Sequence, residues 1–141
     1  ARETAEAIRD RLLPLASIIT PNLFELQWLT GSTPSSPEQM VTAARGLGPP
    51  TVVVTSASET HDSVGTLLVT RTDCVERPLS RRTVVPNGAG DLFAGLLLGH
   101  LLNGRPVQNA LDAGLDALDH VLAESAGKDV LTLSALAGSG A

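Results

Sequence analysis

The sequence has few aromatic residues and no excess of positive charge. Its 141 residues include two Phe, one Trp and no Tyr, and the formal net charge is −5. Single-stranded nucleic acids bind by stacking bases on aromatic side chains, and duplexes bind through basic residues that contact phosphates. We therefore expect no nucleic-acid partner. The core must be built from Leu, Val, Ile and Ala, as in layered α/β domains.

Cysteine is nearly absent, since Cys74 is the single one. One cysteine makes no internal disulfide and no Cys-x-x-Cys motif, which fits a reducing compartment such as the cytoplasm. We expect Cys74 to be a small buried residue in a strand. Apolar runs such as Leu96–Leu98 fall far short of the ~20 residues that a membrane span needs. The charged start of the chain has no signal-peptide pattern, and we expect no contact with a membrane.

Apolar periodicity and turn residues divide the chain into helices and strands. The order predicts a three-layer α/β sheet, in which a tight hairpin precedes two long helices. The opening helix has no strand before it, although a crossover helix normally follows a strand of the same sheet. Ser36 and Gln39 predict a capping box. The predicted helices are 3–15, 22–29, 36–46, 89–102 and 106–122, and the predicted strands are 17–20, 51–55, 64–70, 73–77 and a short piece at 83–85.

The glycine-rich start of the fourth predicted helix is the most informative segment. Gly88 and Gly90 let the backbone bring free N–H groups to a helix start, where the helix dipole also favours an anion. The dinucleotide fingerprint fails because Phe93 replaces its third glycine, and the P-loop lysine is absent. The Asp91 carboxylate repels a phosphate at this place. Its position is therefore explained by a role as the base that takes a proton from a hydroxyl attacking the phosphate. The alternative is that Asp91 only caps the helix dipole.

Two further groups of polar residues follow predicted strands. Asn22 and Glu25 follow the first predicted strand and offer oxygens that suit magnesium or its water shell. Thr55 and Ser56 end the Val-rich strand, where hydroxyls can donate to phosphates. Taken alone, Glu25 is explained as a solvated helix residue or as part of a helix cap, and the hydroxyls are explained by a strand-ending turn. Because ligands bind at the carboxyl edge of open α/β sheets, we expect the groups to form one crevice.

Together these segments resemble the ribokinase superfamily of ATP-dependent small-molecule kinases. Within it, the chain is most similar to the pyridoxal kinase family, and the resemblance extends from the first helix to about Ala137. It implies a ribokinase-like three-layer α/β/α fold with a mostly parallel central sheet. The segments that carry the resemblance are 19–25 (ITPNLFE), 77–80 (RPLS) and 88–100 (GAGDLFAGLLLGH).

The resemblance implies a role for each matching residue. Asp91 would be the base that activates the 5′-hydroxyl of pyridoxal or a related B6 vitamer, and ATP the co-substrate. The family often has Thr where Ala89 stands, which leaves the backbone donor intact, and some members have Lys near Thr55. The backbone of Gly88, Ala89 and Gly90 would form the anion hole. The residues implied on the nucleotide side are Thr20, Asn22, Glu25, Thr55, Ser56, Arg77, Pro78, Leu79 and Ser80, with Asn22 and Glu25 also on the Mg²⁺ side.

The resemblance also concerns length. Pyridoxal kinases have a first half that supplies the early strands and most contacts to the pyridoxal ring. We expect residues 1–141 to be the carboxyl-terminal half of a single ribokinase-like domain, inactive alone and homodimeric as the full protein. Apolar side chains such as Ile8, Leu12 and Leu15 are then expected to lack cover. The alternatives are another kinase of the superfamily, acting on hydroxymethylpyrimidine or a sugar, and a non-catalytic nucleotide-binding fragment.

The remaining charged residues are assigned surface roles. The three histidines lack the spacing of metal ligands. Arg81 and Arg82 are expected to be solvated, with attraction of a phosphate as the alternative. On the last long helix, Asp112, Asp116 and Asp119 are expected on the exposed face.

Overall fold

The computed structural model describes residues 2–138. The first unit comprises residues 2–59 and 64–78, and the second comprises 60–63 and 79–138. The helices are α1 (Arg2–Ala7), α2 (Leu23–Thr30), α3 (Pro37–Gly46), α4 (Ala89–Leu102) and α5 (Val107–Glu124), and the strands are β1 (Ile18–Ile19), β2 (Thr51–Glu59), β3 (Ser63–Thr70) and β4 (Cys74–Ser80). No helix in the described part of the chain is both long and apolar enough to cross a bilayer.

The four strands form one sheet in the order β1-β2-β3-β4. Strand β1 pairs with β2 in parallel, and β2 pairs with β3 antiparallel. The α/β class is confirmed, but this part of the sheet is mixed rather than mostly parallel. The reason is the short connection between β2 and β3, because a tight turn reverses the chain and only a long crossover restores a parallel direction.

Strand β2 continues beyond its predicted end. The predicted strand end at Thr55 is instead an irregularity, because the register with β3 shifts between Val54 and Ser58. Ser56 lies at this irregularity with φ 51°, in the left-handed region that few residues other than glycine adopt. A bulge of this kind interrupts the strand pattern in the sequence without ending the strand.

The core of the first unit lies between the sheet and helices α2 and α3. Side chains Val52, Val53 and Val54 are all buried, as expected for a strand that is covered on both faces. Helix α3 begins as predicted, since Ser36 Oγ accepts from Gln39 N at 3.3 Å. The Gln39 side chain bonds to Ser35 instead, so the predicted capping box is only half formed. The core contains Leu26, Met40, Ala44, Val52, Val54, Ala57, Leu67 and Val69.

The core of the second unit is the contact between α4 and α5. A Cβ on Gly114 would lie 3.6 Å from both Phe93 Cε2 and Leu97 N, so the missing side chain lets the two helices approach closely. The apolar face predicted for the last helix is confirmed. Its buried residues are Ala110, Leu111, Gly114, Leu115, Leu118, Val121 and Leu122.

Three local predictions were wrong. The first predicted helix divides into α1, a π-helical turn at Ile8–Leu12 and a 3₁₀ turn at Leu13–Leu15, because Pro14 supplies no N–H for a helical hydrogen bond. The predicted piece at 83–85 forms no strand. Cys74 is exposed rather than buried, since alternate residues of β4 point to opposite faces of the sheet and Cys74 is on the exposed face.

Candidate active site

Two of the predicted site segments meet where β1 ends beside the middle of β2. Asn22 and Thr55 form an isolated parallel bridge, and Thr55 N donates to Pro21 O at 2.9 Å. The segments thus meet past the carboxyl end of β1, at the edge where an open α/β sheet binds its ligands. Thr20, immediately before Pro21, is half-buried at the same edge.

Asn22 and Glu25 form a complete capping box at the start of α2. Glu25 N donates to Asn22 Oδ1, and Asn22 N donates to Glu25 Oε2, both at 2.8 Å. The helix-cap interpretation of Glu25 is therefore correct. The box fixes both side chains and leaves Asn22 Nδ2 and Glu25 Oε1 without a hydrogen bond to residues 2–138.

The same edge carries several hydroxyls. Thr20 and Thr55 are half-buried and Ser56 is exposed, and none of their hydroxyls bonds to another described residue. The left-handed φ of Ser56 costs energy that the fold must supply, and such strain is concentrated at functional sites. A free hydroxyl at this edge is able to donate to a phosphate oxygen.

This edge suits Mg²⁺ only as a partial site. In the described part of the chain, no group of three or more His, Cys, Asp or Glu could hold a metal ion. Protein-bound Mg²⁺ is usually held by one or two carboxylates, with phosphate oxygens and waters completing its shell. One free oxygen of Glu25 fits that pattern, whereas Asn22 Oδ1 is already engaged in the cap.

An apolar groove of about 410 Å³ extends from this edge. Thr20 and Glu25 line its polar end, and Ile8, Leu12 and Trp28 line its apolar part. The expected lack of cover is confirmed, since Ile8 is 49% and Leu12 60% exposed. The position of Trp28 in this groove was not predicted from the sequence.

Arg9 lies against the Trp28 ring, with Cζ 5.5 Å from the ring centroid. Hydrogen bonds from Arg9 also lower the pKa of the neighbouring Asp10 below its ordinary value.

The second unit contains the glycine-rich turn. Gly88 caps α4 with φ 89° and ψ 0°, a left-handed conformation that glycine adopts at little cost. The first helical hydrogen bond runs from Leu92 N to Gly88 O at 2.9 Å. The N–H groups of Ala89, Gly90 and Asp91 precede it and have no partner within the helix.

Asp91 is exposed, and within residues 2–138 its carboxylate makes no hydrogen bond or ion pair. Helix α4 has no side-chain cap, so Asp91 does not cap it through a hydrogen bond. A groove of about 460 Å³ runs from Asp91 along α4, past Gly95, Gly99 and His100. A free carboxylate beside free N–H groups is able to take a proton next to a bound anion.

The segment after α5 borders the glycine-rich turn. A Cβ on Gly88 would lie 3.7 Å from Leu131 Cδ1. The buried Ser125 hydroxyl accepts from Thr132 N at 2.8 Å and donates to Val121 O at 2.6 Å, which folds the segment back towards α5. These contacts were not predicted from the sequence, because the segment has no apolar periodicity.

The remaining predicted residues lie in β4. Arg77 and Leu79 are half-buried, and Pro78 and Ser80 are exposed. Proline is tolerated there because β4 is an edge strand. Their role at a nucleotide stays a prediction.

Curated relatives and solved structures carry kinase names. The chain is 37% identical over 128 residues to pyridoxal kinase PdxY from Leifsonia xyli subsp. xyli, covering 85% of this chain and 44% of the relative. The ADP complex of Bacillus subtilis pyridoxal kinase has a TM-score of 0.72 and 29% identity, covering 84% and 47% of the two chains. The pyridoxal kinase from Staphylococcus aureus with AMP-PCP and pyridoxal has a TM-score of 0.75 and 25% identity, covering 86% and 47%.

The chain thus spans less than half the length of these relatives. The family model described as pfkB family carbohydrate kinase matches residues 1–117 of the 141. Because this match covers most of the sequence, the chain belongs to the pfkB family of carbohydrate kinases.

Proposed function

We propose that this chain is the carboxyl-terminal half of an ATP-dependent pyridoxal kinase, which forms pyridoxal 5′-phosphate in vitamin B6 salvage. The observation that carries the proposal is Asp91, an exposed carboxylate without a partner among the described residues, beside the free N–H groups that begin α4. The names of the relatives support pyridoxal as the acceptor. The full protein is proposed to be a cytoplasmic homodimer.

The proposed step is an in-line displacement at the γ-phosphorus of ATP. Asp91 takes the proton of the 5′-hydroxyl as its oxygen bonds to phosphorus, and the bond from phosphorus to the bridging oxygen breaks to release ADP. The backbone N–H groups of Gly88, Ala89 and Gly90 stabilise the charge on the transferred group. Donors that are already oriented before the reaction cost no reorganisation in the transition state.

The nucleotide side is assigned to the sheet edge in the first unit. Asn22 Nδ2 and the hydroxyls of Thr20, Thr55 and Ser56 are free donors for phosphate oxygens. Glu25 is the better of the two proposed Mg²⁺ residues, because the Asn22 oxygen already accepts a backbone N–H. Bound Mg²⁺ neutralises phosphate charge. In this proposal the nucleotide is also bordered by Arg77, Pro78, Leu79 and Ser80.

A substrate panel with the full-length protein tests the proposal. Pyridoxal, pyridoxine, hydroxymethylpyrimidine and ribose are each supplied with ATP and Mg²⁺, and ADP formation is measured together with the phosphorylated product. Phosphorylation of pyridoxal with the highest kcat/KM is the expected result. Ribose is included because the matching family model describes carbohydrate kinases. A preference for ribose or hydroxymethylpyrimidine would refute the assignment of the acceptor, and no turnover at all would favour a non-catalytic nucleotide-binding protein.

A further inference from the structure

The segment between β4 and α4 contains no helix or strand from residue 81 to residue 88. It leads directly into the left-handed Gly88, so its path sets the direction of the first N–H groups of α4. Arg81 fixes its beginning, since Arg81 N donates to Asp62 O at 2.8 Å and Arg81 Nη1 donates to Thr60 O at 3.0 Å. Farther along, Val84 and Val85 are 64% and 53% exposed, and Pro86 is buried.

Arg82 ties the same segment to α5. Its Nη2 donates to Asp119 Oδ1 at 2.6 Å and to the Asp119 carbonyl oxygen at 3.1 Å. The Arg82 side chain is only 23% exposed, so the expectation that it is solvated was wrong, whereas the Asp119 side chain keeps 39% of its surface exposed. Charge-assisted hydrogen bonds of this length are stronger than neutral ones, and partial burial reduces screening by water and salt.

These contacts close a ring within the second unit. The ring runs from Arg82 through Gly88 into α4, across the close contact of α4 with α5 at Gly114, and along α5 to Asp119. Glycine alone imposes little on the backbone, because it adopts many conformations at similar cost. The direction of the N–H groups after Gly88 therefore depends on what holds the two ends of this segment.

We propose that Arg82 and Asp119 are positioning residues for phosphoryl transfer, a statement that rests on the function proposed above. The ion pair holds the segment before Gly88 so that the N–H groups of 88–90 and the Asp91 carboxylate keep a reactive arrangement. Neither residue needs to touch the substrate. The alternative is that Arg82 binds a phosphate directly. Removal of Asp119 would then free the guanidinium and strengthen the binding of ATP.

Kinetics of three variants of the full-length protein test this proposal. Asp119→Ala removes the carboxylate acceptor, and Asp119→Asn keeps an oxygen at the same place without the charge. Asp116→Ala removes an exposed charge from the same helix and is the matched control. We expect kcat to fall by about 10- to 100-fold in Asp119→Ala, since small misplacements of reacting groups carry losses of that size. The KM values for ATP and pyridoxal should stay near those of the wild type, because the lost arrangement acts in the transition state. Asp119→Asn should fall between Asp119→Ala and the control.

Hydrogen exchange provides a readout that does not depend on activity. In Asp119→Ala, the amides of residues 83–91 should exchange faster than in the wild type, while those of α4 beyond its first turn and of β2 should not change. Hydrogen exchange needs no turnover, so it tests the role of the ion pair even if the wild type phosphorylates none of the supplied acceptors. Failure of this proposal and failure of the proposed function can therefore be distinguished. Unchanged exchange at 83–91 with wild-type kcat would overturn the proposal. A uniform rise of exchange over the whole chain would also overturn the proposal, since the ion pair would then only stabilise the fold. Tighter binding of ATP by Asp119→Ala would overturn it as well.

Discussion

At the residue scale, the role of Asp91 is the most direct consequence of the proposed function. Asp91→Asn keeps the size of the side chain and removes its basicity, so turnover should fall by about 10²- to 10⁴-fold, the usual contribution of a general base. Binding of ADP, measured by calorimetry, should remain, because no partner in the described residues depends on the Asp91 carboxylate.

Asp116→Asn is the matched control, since it neutralises another exposed carboxylate in the same unit. Turnover of Asp91→Asn close to that of the wild type would end the assignment of Asp91 as the base. Loss of ADP binding together with turnover would instead indicate that the carboxylate shapes the anion site.

Single residues were predictable where the signal is local. The three-residue spacing of Asn22 and Glu25 is compatible with a helix cap, and the two residues form a capping box in the structure. The contact of Arg82 with Asp119 joins residues 37 positions apart, and no periodicity in either segment indicates it. The exposure of Cys74 depends on which face of β4 is covered, which a strand's own sequence does not specify.

At the scale of elements, the irregularity of β2 makes a separate prediction about Ser56. A β-branched residue at its φ of 51° is strained, so Ser56→Val should lower the free energy of unfolding by about 1–3 kcal/mol. Ser56→Gly relieves the strain and should remain within about 1 kcal/mol of the wild type, because the greater freedom of the unfolded glycine offsets part of the gain. Urea denaturation of the two variants measures this difference.

The two Ser56 variants serve as controls for each other. Both remove the hydroxyl, so a weaker binding of ATP in both would be due to the lost donor, whereas a loss in Ser56→Val alone would be due to the backbone. Equal stability of the two variants would contradict the left-handed conformation of Ser56.

Most elements were predictable because each has a clear periodicity or a stop signal. Helix α5 shows one apolar face, and β2 begins with a β-branched run after two prolines. Pairing was harder to predict, since the hairpin of β2 and β3 is hidden by the irregularity at Thr55–Ala57. The direction of β3 relative to β2 depends on the residues that connect the two strands. The sequence of this connection resembles an ordinary polar loop.

At the scale of the whole molecule, relatives carry more than twice the length of chain that matches here. The chain therefore matches only part of each relative, and its assignment to the carboxyl-terminal half stays a proposal. The candidate nucleotide edge and Asp91 lie in different units, and each was predicted from its own segment. Pyridoxal as the acceptor stays a proposal that rests on the resemblance and on the names of the relatives, and not on any pocket described here.

Residues 1–141 prepared alone provide the last prediction. Strand β1 is one edge of the described sheet, and beside it Ile8, Leu12 and Leu15 are 49%, 60% and 82% exposed. An open strand edge with adjacent apolar surface favours association with another chain. We therefore expect this polypeptide to associate in dilute buffer, as measured by light scattering. It should also lack pyridoxal kinase activity, because a kinase must hold acceptor and ATP in line.

A control variant separates the two causes of association. Replacement of Ile8, Leu12 and Leu15 by Gln removes the apolar surface and leaves the edge of β1 intact, so a fall in apparent mass would assign association to the apolar side chains. Persistent association of this variant would assign it to the strand edge. A wild-type polypeptide that remains a monomer and melts cooperatively would contradict the prediction, because the described sheet would then need no further cover. Phosphorylation of pyridoxal by residues 1–141 alone would refute the division of the domain, since the acceptor would then bind within this half.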